Sequence, residues 1–544
     1  MVWRLHSLNE NGGNQPLLGR HLFAMKTPSA IILPLLLSLG TLLGAESAPR
    51  QITSDWQKPK GPNTHYEAVC VGAGRAGELL RKAAVDQLKD VRENCGFQYL
   101  RFHGLFHDDM AVYSEEKGKP VYNFQYVDLA YDAILDTGMK PFVELSFMPA
   151  DLVSGSKTVF WWKGNVTPPN DYDKWGNLVR EFTAHMEQRH GRDEVKQWYF
   201  EVWNEPNLPD LFFDGKMADY FHLYDVSAKS VKSVCADYRV GGPSSARNDW
   251  VPELIRHCQT NDIPLDFIST HTYGVHGAVD EFGTKVLTLM PGDDTIAGPV
   301  RGVRAKIAKS AMPTLPLFYT EWSTSYSSRD AVHDSYISAA YILNTLKRCS
   351  GVAQAMSYWT YTDVFEEAGP GPTPFHGGFG LINLQGLHKP SYYAYKFLHE
   401  LGDTELECGD ESATVCRSES GVQALVWNYT TPKQDAPDNV YFKRDLPAQP
   451  IAPAQLTIKN LPAGHYALKV FAVGYRRNDV YADFLDLGSP PNPTRQQVQT
   501  LNEKNSGSPM VSDTVEIKAG DDLQRTLEMR ENDVYLVTLQ TLRN

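Results

Sequence analysis

Two glutamates of the chain follow strongly apolar, aromatic runs, and their positions suggest paired carboxylate chemistry. The run 198–203 leads into an Asn-Glu-Pro motif that contains Glu205, and the run 317–320 leads into Glu321. Aromatic and β-branched residues favour a pleated, packed backbone, so each run predicts a buried strand with a carboxylate at its end. A single Glu in such a position is ordinarily a loop residue. If the fold brings both to one rim, they form a candidate pair for acid–base and nucleophilic catalysis.

The elements that would position these residues alternate between apolar runs and amphipathic stretches. Eight strand–helix alternations predict an α/β fold, a (β/α)8 TIM barrel over residues 60–400, with a doubly wound open sheet as the alternative. Polar residues at the downstream strand ends favour the barrel, because barrel enzymes keep their chemistry there. Glu205 then ends the fourth strand and Glu321 the seventh, at one mouth. The predicted strands are 66–71, 98–103, 140–147, 197–204, 238–242, 267–271, 317–321 and 354–360.

After residue 400 the sequence changes to short runs in which apolar and polar residues alternate, separated by Gly, Pro, Asn and Asp. This pattern predicts an accessory β-sandwich domain over residues 401–544. A Pro-, Asn- and Gln-rich span, 488–509, is expected to be an exposed loop. The predicted strands are 422–429, 455–459, 465–473, 514–518 and 533–540.

The amino-acid composition and net charge limit the kinds of molecule that the protein is expected to bind. The chain has 544 residues, of which 42% are hydrophobic, and a net charge of −13. This is globular composition with enough apolar material for a large core. Because nucleic acids and anionic membranes are bound by clustered Lys and Arg, the acidic balance argues against both partners. The sequence does not indicate an oligomeric state.

Residues 1–48 predict an upstream extension followed by a secretory signal peptide. Met25 starts a short basic region, an interrupted apolar run occupies 30–43, and small residues follow, with cleavage near Ala45 or Ala48. The run is too short and too interrupted for a confident spanning helix. We expect a secreted or periplasmic protein that leaves the membrane after cleavage, with an uncleaved anchor as the alternative.

Seven widely spaced cysteines fit neither a disulfide framework nor a zinc site. Cys408 and Cys416 are close enough in sequence to bridge across a hairpin in an oxidising compartment. Most of the others are expected to be buried apolar residues.

Two motifs raise other kinds of chemistry. Residues 72–77 (GAGRAG) match the dinucleotide fingerprint by letters, which makes a nucleotide-dependent oxidoreductase an alternative. The position of the ribose-binding acid, expected about 20 residues further on, falls inside a helical stretch, so a glycine-rich turn after the first strand is favoured.

A cluster of His and Asp residues could ligate a metal, but it lies at a strand end and loop, where hydrogen bonding fits better. Its members are His103, His107, Asp108 and Asp109.

Aromatic residues are frequent near the strand ends. Trp359 ends the eighth strand and is the best candidate for a platform under a sugar ring, whose C–H face suits an aromatic surface. Glu366 and Glu367, in the following loop, could accept hydrogen bonds from ring hydroxyls, with solvated loop positions as the alternative. Carboxylates and amides mixed with Trp on a concave rim fit a polyol better than an apolar ligand.

A set of local motifs extends over roughly residues 60–400. They are Val71-Gly72-Ala73-Gly74-Arg75, Arg101-Phe102-His103-Gly104, His107-Asp108-Asp109, Pro141-Phe142-Val143-Glu144-Leu145, Trp203-Asn204-Glu205-Pro206-Asn207, His271-Thr272-Tyr273, Thr320-Glu321-Trp322, Tyr358-Trp359-Thr360-Tyr361-Thr362-Asp363, Phe365-Glu366-Glu367, His376-Gly377-Gly378-Phe379-Gly380-Leu381 and Lys389-Pro390-Ser391-Tyr392-Tyr393. Together they resemble glycoside hydrolase family 39 of clan A, which holds β-xylosidases and α-L-iduronidases. The set looks like the xylosidase branch, because iduronidases need basic groups for a uronate carboxylate and only Arg75 and Arg101 are evident near the mouth.

The resemblance implies a retaining glycoside hydrolase, most specifically a β-D-xylosidase that releases xylose from the non-reducing end of xylo-oligosaccharides. α-L-Iduronidase, α-L-arabinosidase and cleavage of an exopolysaccharide are alternatives on the same scaffold. Outside enzymes, the alternative is a carbohydrate-binding protein on an inactive barrel. No metal and no cofactor are implied.

The resemblance also implies roles for individual residues. Glu321 would be the nucleophile and Glu205 the proton donor and general acid–base, with carboxyl groups about 5–5.5 Å apart for retention. Asn204 would bind the sugar 2-hydroxyl, and His271 and Tyr273 would orient the nucleophile and the subsite. The full set of expected substrate-binding residues is His103, Asn204, His271, Tyr273, Trp359, Glu366 and Glu367.

Overall fold

The computed structural model describes residues 48–279 and 283–542. The predicted upstream extension and signal peptide lie outside the described residues except for Ala48, so they stay predictions. Within the two described ranges, no helix combines the length and the apolar character needed to cross a membrane.

Eight parallel strands close into a barrel, which confirms the predicted (β/α)8 architecture over the open sheet. In chain order they are β1 (Cys70–Arg75), β2 (Tyr99–His103), β3 (Lys140–Leu145), β4 (Tyr199–Val202), β5 (Arg239–Ser245), β6 (Phe267–Tyr273), β7 (Leu317–Ser323) and β8 (Ala355–Tyr358). Each strand pairs with its sequence neighbours, and β8 closes on β1. Because all eight run in one direction, their carboxyl ends meet at one mouth.

A helix follows each strand and covers the outside of the barrel. The boundaries follow from local chemistry: the carboxylate of Asp171 accepts from two backbone N–H groups at the start of α3, and Gly96 ends α1 at φ 76°. The helices are α1 (Lys82–Cys95), α2 (Gln125–Asp136), α3 (Tyr172–His190), α4 (Met217–Val234), α5 (Val251–Asn261), α6 (Ala297–Ala308), α7 (Ile337–Cys349) and α8 (Pro390–His399).

The first barrel strand differs from the prediction. Residues 66–68 form a 3-10 turn, and β1 begins at Cys70 and continues through Gly72 and Gly74. The predicted glycine-rich turn is therefore wrong. The expected close approach does occur, because a Cβ on Gly72 would lie only 2.3 Å from Cε3 of Trp359. Glycine is needed there so that the indole can pack directly on the strand backbone.

The second domain is a β-sandwich built from one nine-stranded, mostly antiparallel sheet. Strands from both ends of the sheet contribute to one apolar core, so the sheet folds back on itself. The strand Arg50–Pro62 precedes the barrel in sequence yet lies inside this sheet, where it pairs in parallel with Ala454–Lys459. The sheet order is Val511–Ile517, Gly464–Val473, Val534–Thr541, Gly421–Trp427, Ala413–Ser418, Thr404–Cys408, Arg50–Pro62, Ala454–Lys459 and Leu523–Leu527.

Two expectations for this domain are corrected. The span 488–509 contains the helix Arg495–Lys504, which Thr494 caps, and is not loop throughout. Cys408 and Cys416 are both free thiols. In the hairpin register Cys416 faces Glu405 instead of Cys408, so the two sulfurs are not brought together.

Smaller elements decorate the loops and the second domain. Short strand pairs are Tyr113–Glu116 with Lys119–Tyr122, Thr158–Val159 with Gly164–Asn165, and Val275–Val279 with Lys285–Leu289. Short helices are Arg192–Val195, Asp438–Tyr441 and Val480–Asp486. The sandwich packs on the barrel through a shared apolar cluster that includes Cys416, Leu425, Trp427, Val534 and Leu536.

Candidate active site

Glu205 and Glu321 meet at the carboxyl mouth of the barrel. After β4 the backbone turns sharply, with Trp203 and Glu205 in left-handed conformations (φ 70° and 42°), and the Glu205 N–H donates to Ser244 O at 2.8 Å. Both carboxylates are largely buried, with 8% and 5% of their residue surface exposed. One oxygen of each carboxylate and a nitrogen of His271 all lie within 4.8 Å of one another. The predicted pair is therefore brought together in space.

Glu321 accepts from a donor on each of its carboxylate oxygens. Arg101 Nη1 lies 2.5 Å from one carboxylate oxygen, and the Tyr273 hydroxyl donates to the other at 2.6 Å. These two contacts fix the orientation of the carboxylate in the barrel mouth. Burial, and then the charge of Glu321, raises the pKa of Tyr273 well above its usual range, so the phenol keeps its proton.

Arg101 is the electrostatic centre of the barrel mouth. It is completely buried, and it also contacts Glu144 (Nη2–Oε2, 2.6 Å), Glu201 (Nε–Oε2, 2.7 Å) and the Asn204 amide oxygen (2.8 Å). Burial lowers the pKa of Arg101, but the surrounding carboxylates, Glu144 foremost, raise it further than burial lowers it. A buried charge is tolerated only with such partners.

Arg101 and Glu144 belong to the sequence motifs above but had no predicted role at the site, and Glu201 was not predicted at all. The signal for Glu201 is a charged residue in the interior of the apolar run 198–203. A carboxylate in a strand core needs a buried cationic partner, and the barrel supplies Arg101 across the mouth.

The surroundings of Glu205 favour the protonated form of its carboxyl group. Burial, followed by the negative charge of Glu321, raises the pKa of Glu205 well above its usual range. His271 Nδ1 lies 2.9 Å from Glu205 Oε1. Burial, and then the positive charge of Arg101, lowers the pKa of His271 well below its usual range, so its ring is neutral. A carboxyl group with a raised pKa beside a second carboxylate is the arrangement of a proton donor next to a nucleophile.

Another wall of the cavity is formed by His103, Trp359 and Glu367. His103 Nδ1 lies 2.8 Å from Glu144, its Nε2 lies 3.6 Å from Glu367, and its ring centroid is 4.8 Å from that of Trp359. Burial lowers the pKa of His103, but Glu144 and Glu367 outweigh it and raise the pKa to about 10. The protonated ring is therefore a donor that faces the cavity.

Glu366 is placed away from this wall, which corrects its expected role in substrate binding. Its carboxylate is paired with Arg75 (3.0 Å) and Arg81 (2.6 Å), and it does not line the cavity. Glu367, the next residue, points inward. Arg329 donates to three consecutive carbonyls of the same loop, residues 368–370. Glu366 thus anchors the loop from behind and positions Glu367.

The members of the cluster first considered for a metal are engaged with other partners in the fold. His107 packs edge-on against Trp162 (4.7 Å between centroids), Asp108 accepts from a backbone N–H at 2.8 Å, and Asp109 pairs with Arg75. The described residues contain one group spaced for a cation, namely Glu205, Glu321 and His271. Arg101 already occupies an oxygen of that group, and its charge opposes a metal ion there.

The cavity above these residues is open and has a volume of about 880 Å³. It is lined by His103, Asn204, Glu205, Tyr273, Glu321, Trp359 and Glu367, while His271 lies beneath it. This volume is at the upper end of the range of ligand pockets, roughly 300–1,000 Å³. The space therefore accommodates a ligand larger than one sugar ring.

Two carboxyl groups this close, one of them with a raised pKa, beneath a polar and aromatic cavity are suited to cleave a glycosidic bond. We therefore class the protein as a glycoside hydrolase. The sequence profile of glycosyl hydrolases family 39 matches residues 50–520. The chain belongs to this family.

Individual relatives agree with this assignment. A β-xylosidase of Geobacillus stearothermophilus is 37% identical over 485 residues, which cover 87% of this chain and 92% of that protein. A β-xylosidase of Caldicellulosiruptor saccharolyticus is 42% identical over 393 residues, covering 70% and 79%. The crystal structure of a monomeric β-xylosidase from Caulobacter crescentus CB15 is 41% identical, with a TM-score of 0.88, and covers 91% of this chain and 100% of that one.

Proposed function

We propose that the protein is a retaining β-D-xylosidase that releases xylose from the non-reducing end of xylo-oligosaccharides. The observation that carries the proposal is the Glu205–Glu321 pair, in which a carboxylate oxygen of one residue lies within 4.8 Å of a carboxylate oxygen of the other. Retaining enzymes place their carboxyl groups about 5–5.5 Å apart, whereas inverting enzymes leave roughly 6.5–9.5 Å for a water. The xylose preference is supported by the relatives named as β-xylosidases.

In the first step Glu321 attacks the anomeric carbon, and the bond from that carbon to the leaving oxygen breaks. The electron pair of that bond passes to the leaving oxygen, which takes the proton of Glu205. The raised pKa of Glu205 favours the protonated carboxyl group that supplies this proton. Arg101 and Tyr273 hold the attacking carboxylate in place. The product is a glycosyl ester on Glu321 and a free leaving group.

In the second step water attacks the ester, and Glu205 takes its proton. Once Glu321 is esterified, its negative charge is gone, and one cause of the raised Glu205 pKa disappears with it. Glu205 gave its proton to the leaving group in the first step, so it is available as the base for the water. Cleavage of the ester returns the electron pair to Glu321, and the sugar leaves with its original configuration.

The neighbouring groups can position the sugar. Asn204 uses its amide oxygen to accept from Arg101, so its NH2 group remains to donate to a sugar hydroxyl, which we assign to the 2-position. The protonated His103 and the Glu367 carboxylate offer a donor and an acceptor to other hydroxyls. Trp359 presents its ring as the apolar platform.

A uronate-cleaving activity is disfavoured by the contacts of the two basic residues first considered for it. Arg101 is committed to Glu144, Glu201 and Glu321, and Arg75 pairs with Glu366. Neither guanidinium is left to hold a carboxylate on the sugar that is cleaved. The inactive-barrel alternative is disfavoured because both carboxylates are present and adjacent.

The nucleophile is tested with Glu321→Ala. We expect turnover of an aryl β-xyloside to be abolished, and added azide to yield an α-xylosyl azide, inverted relative to the substrate. Glu419→Ala, at an exposed position of the sandwich, is the matched control. Unchanged turnover, or no azide product together with residual hydrolysis, would show that another residue attacks.

The acid–base role is tested with Glu205→Ala. Xylosides of strongly acidic phenols need no protonation, so we expect their glycosylation to persist while xylobiose hydrolysis is lost. Equal loss on both would contradict the role. Product analysis on aryl xylosides, arabinosides and iduronides, together with xylo-oligosaccharides, distinguishes the proposed substrate from its alternatives.

We also propose that the protein is secreted, on the sequence pattern of residues 25–48. N-terminal sequencing of the protein recovered from its natural host should begin near residue 46 or 49. A mature chain that retains the apolar run would instead indicate an anchor.

A further inference from the structure

Arg247 lines the outer part of the active-site cavity and has no ion-pair partner among the described residues. It is exposed and lies on a 3-10 turn, Ala246–Asn248, directly after β5. Lys285, on the hairpin that borders the cavity, is likewise exposed and unpaired within the described ranges. Two cations therefore face the cavity without a counter-charge assigned to them.

The turn that carries Arg247 is fixed from both sides. Asn207, two residues after the proposed acid–base, accepts from the Ala246 N–H at 2.8 Å and donates to the Ala246 carbonyl at 2.9 Å. On the other side, the Tyr319 hydroxyl donates to Asn248 Oδ1 at 2.5 Å. Arg247 and Asn248 both adopt left-handed backbone conformations, φ 60° and 64°. Such conformations persist where the surrounding structure over-determines them, and they cluster at functional sites.

Arg247 lies on the side of the cavity that carries Glu205, because Glu205 and Asn207 hydrogen-bond to the segment 244–246 just before it. The Tyr273 ring, which binds Glu321, is 6.2 Å from the Tyr326 ring, and Tyr326 is 47% exposed towards the mouth. Burial raises the pKa of Tyr326, and the nearby charge of Arg247 opposes that rise. The wall formed by His103 and Trp359 lies on β2 and after β8, whereas Arg247 follows the strand beside Glu205. Tyr326 and Arg247 therefore line the outer cavity next to the segment that carries Glu205, where we infer that the leaving group lies.

Other charges at the outer cavity are few among the described residues. Asp210 lines it, and its nearest cation is Lys157 at 3.9 Å. His276 is also exposed there. Among the described residues that line this outer region, the fixed charges are thus Arg247 and Lys285 against the Asp210 carboxylate, while the inner site is dominated by Glu residues.

We propose that the leaving-group subsite recognises a carboxylate on the leaving group, with Arg247 as the main specificity-determining residue and Lys285 as the second. A planar guanidinium binds carboxylates in a bidentate manner, and its fixed turn reduces the entropy lost on binding. The inference rests on the proposed β-xylosidase function. The carboxylate could belong to a uronic acid branch on a xylo-oligosaccharide or to an aromatic acid.

The test compares charged and neutral leaving groups. The first arm uses 4-carboxyphenyl and 4-carbamoylphenyl β-xylosides. The second uses xylobiose with and without a glucuronic acid branch on its reducing-end residue. For each pair the ratio of kcat/KM values is measured at low salt. Comparing this ratio between enzyme variants cancels the intrinsic difference in substrate reactivity. The variants are Arg247→Gln, Arg247→Lys, Lys285→Gln and, as a matched control on the exposed face of α5, Arg256→Gln.

We expect Arg247→Gln to lower the charged-to-neutral ratio about fivefold, the range of a solvent-accessible ion pair, with Arg247→Lys intermediate. Lys285→Gln should lower it less, and Arg256→Gln should leave it unchanged. Added salt should weaken the preference of the wild type. A response only in the oligosaccharide arm identifies a uronic acid branch as the source of the carboxylate, and a response only in the aryl arm identifies an aromatic acid.

An unchanged ratio in Arg247→Gln would overturn the inference. So would Arg247-dependent hydrolysis of an aryl glucuronide, because the carboxylate would then sit on the cleaved sugar. Failure of the wild type to hydrolyse the neutral xylosides would instead refute the proposed function, so the two failures are distinguishable.

Discussion

Replacing Gly72 by Ala tests how the strand backbone holds the sugar platform. The new Cβ would lie 2.3 Å from Cε3 and 2.9 Å from Cζ3 of Trp359. Carbon atoms pack best at about 3.5–4.0 Å, so the indole must move by about 1 Å or more towards the cavity. Overpacking of this kind costs about 1–3 kcal/mol of unfolding free energy. A displacement of about 1 Å at the substrate wall costs on the order of 100-fold in rate.

The assay pairs urea unfolding with kcat/KM for an aryl β-xyloside. Gly302→Ala on α6 is the matched control, because that glycine is exposed and none of the described residues places an atom within 4 Å of the point that a Cβ would occupy. The control should gain up to about 1 kcal/mol and keep its activity. Combining Gly72→Ala with Trp359→Leu should cost less stability than the sum of the two single changes, because the clash is then absent, but should leave kcat/KM low. If Gly72→Ala alone keeps both stability and activity, the platform is not held by this contact and the reasoning is wrong.

Three further predictions follow from contacts at or near the site. Burial, and then the negative charge of Asp438, raises the pKa of Asp330 to about 7. The folded protein therefore holds this proton more tightly than the unfolded chain, so the free energy of unfolding should fall as pH rises from about 4 to 7, by at most roughly 4 kcal/mol. Asp330→Asn should remove that slope in urea unfolding at pH 4.5 and 8, and an identical slope would contradict the assignment. Glu366→Gln should raise KM several-fold through a looser loop around Glu367, without altering the order of preference among aryl glycosides; an altered order would indicate direct sugar contact. Tyr273→Phe removes a hydrogen bond to the charged nucleophile, worth about 1.5–3 kcal/mol, and should lower kcat/KM about 10- to 100-fold, whereas a change below twofold would exclude that contact from catalysis.

The strands that carry the two catalytic candidates could be predicted because their signal is local. Residues 198–203 and 317–320 are apolar and aromatic, and a parallel barrel sends the ends of all its strands to one mouth. The strand Arg50–Pro62 escaped prediction because most of its residues are exposed, so it shows no clear apolar alternation. The predicted bounds of β1 lay four residues too early in the chain for a related reason: glycines in a strand resemble a turn when only the sequence is considered.

The sequence by itself determined the barrel, the sandwich and the placement of Glu205 and Glu321 at strand ends, because hydrophobic periodicity and strand direction are properties of short segments. Only the tertiary structure decided which charges meet. Glu366 and Glu367 are adjacent and chemically identical, yet one is held by Arg75 from behind and the other lies beside His103 on the cavity wall. The same is true of Arg101, whose buried partners come from three other strands. Such contacts depend on which segments the closed barrel brings together, and no local pattern encodes them.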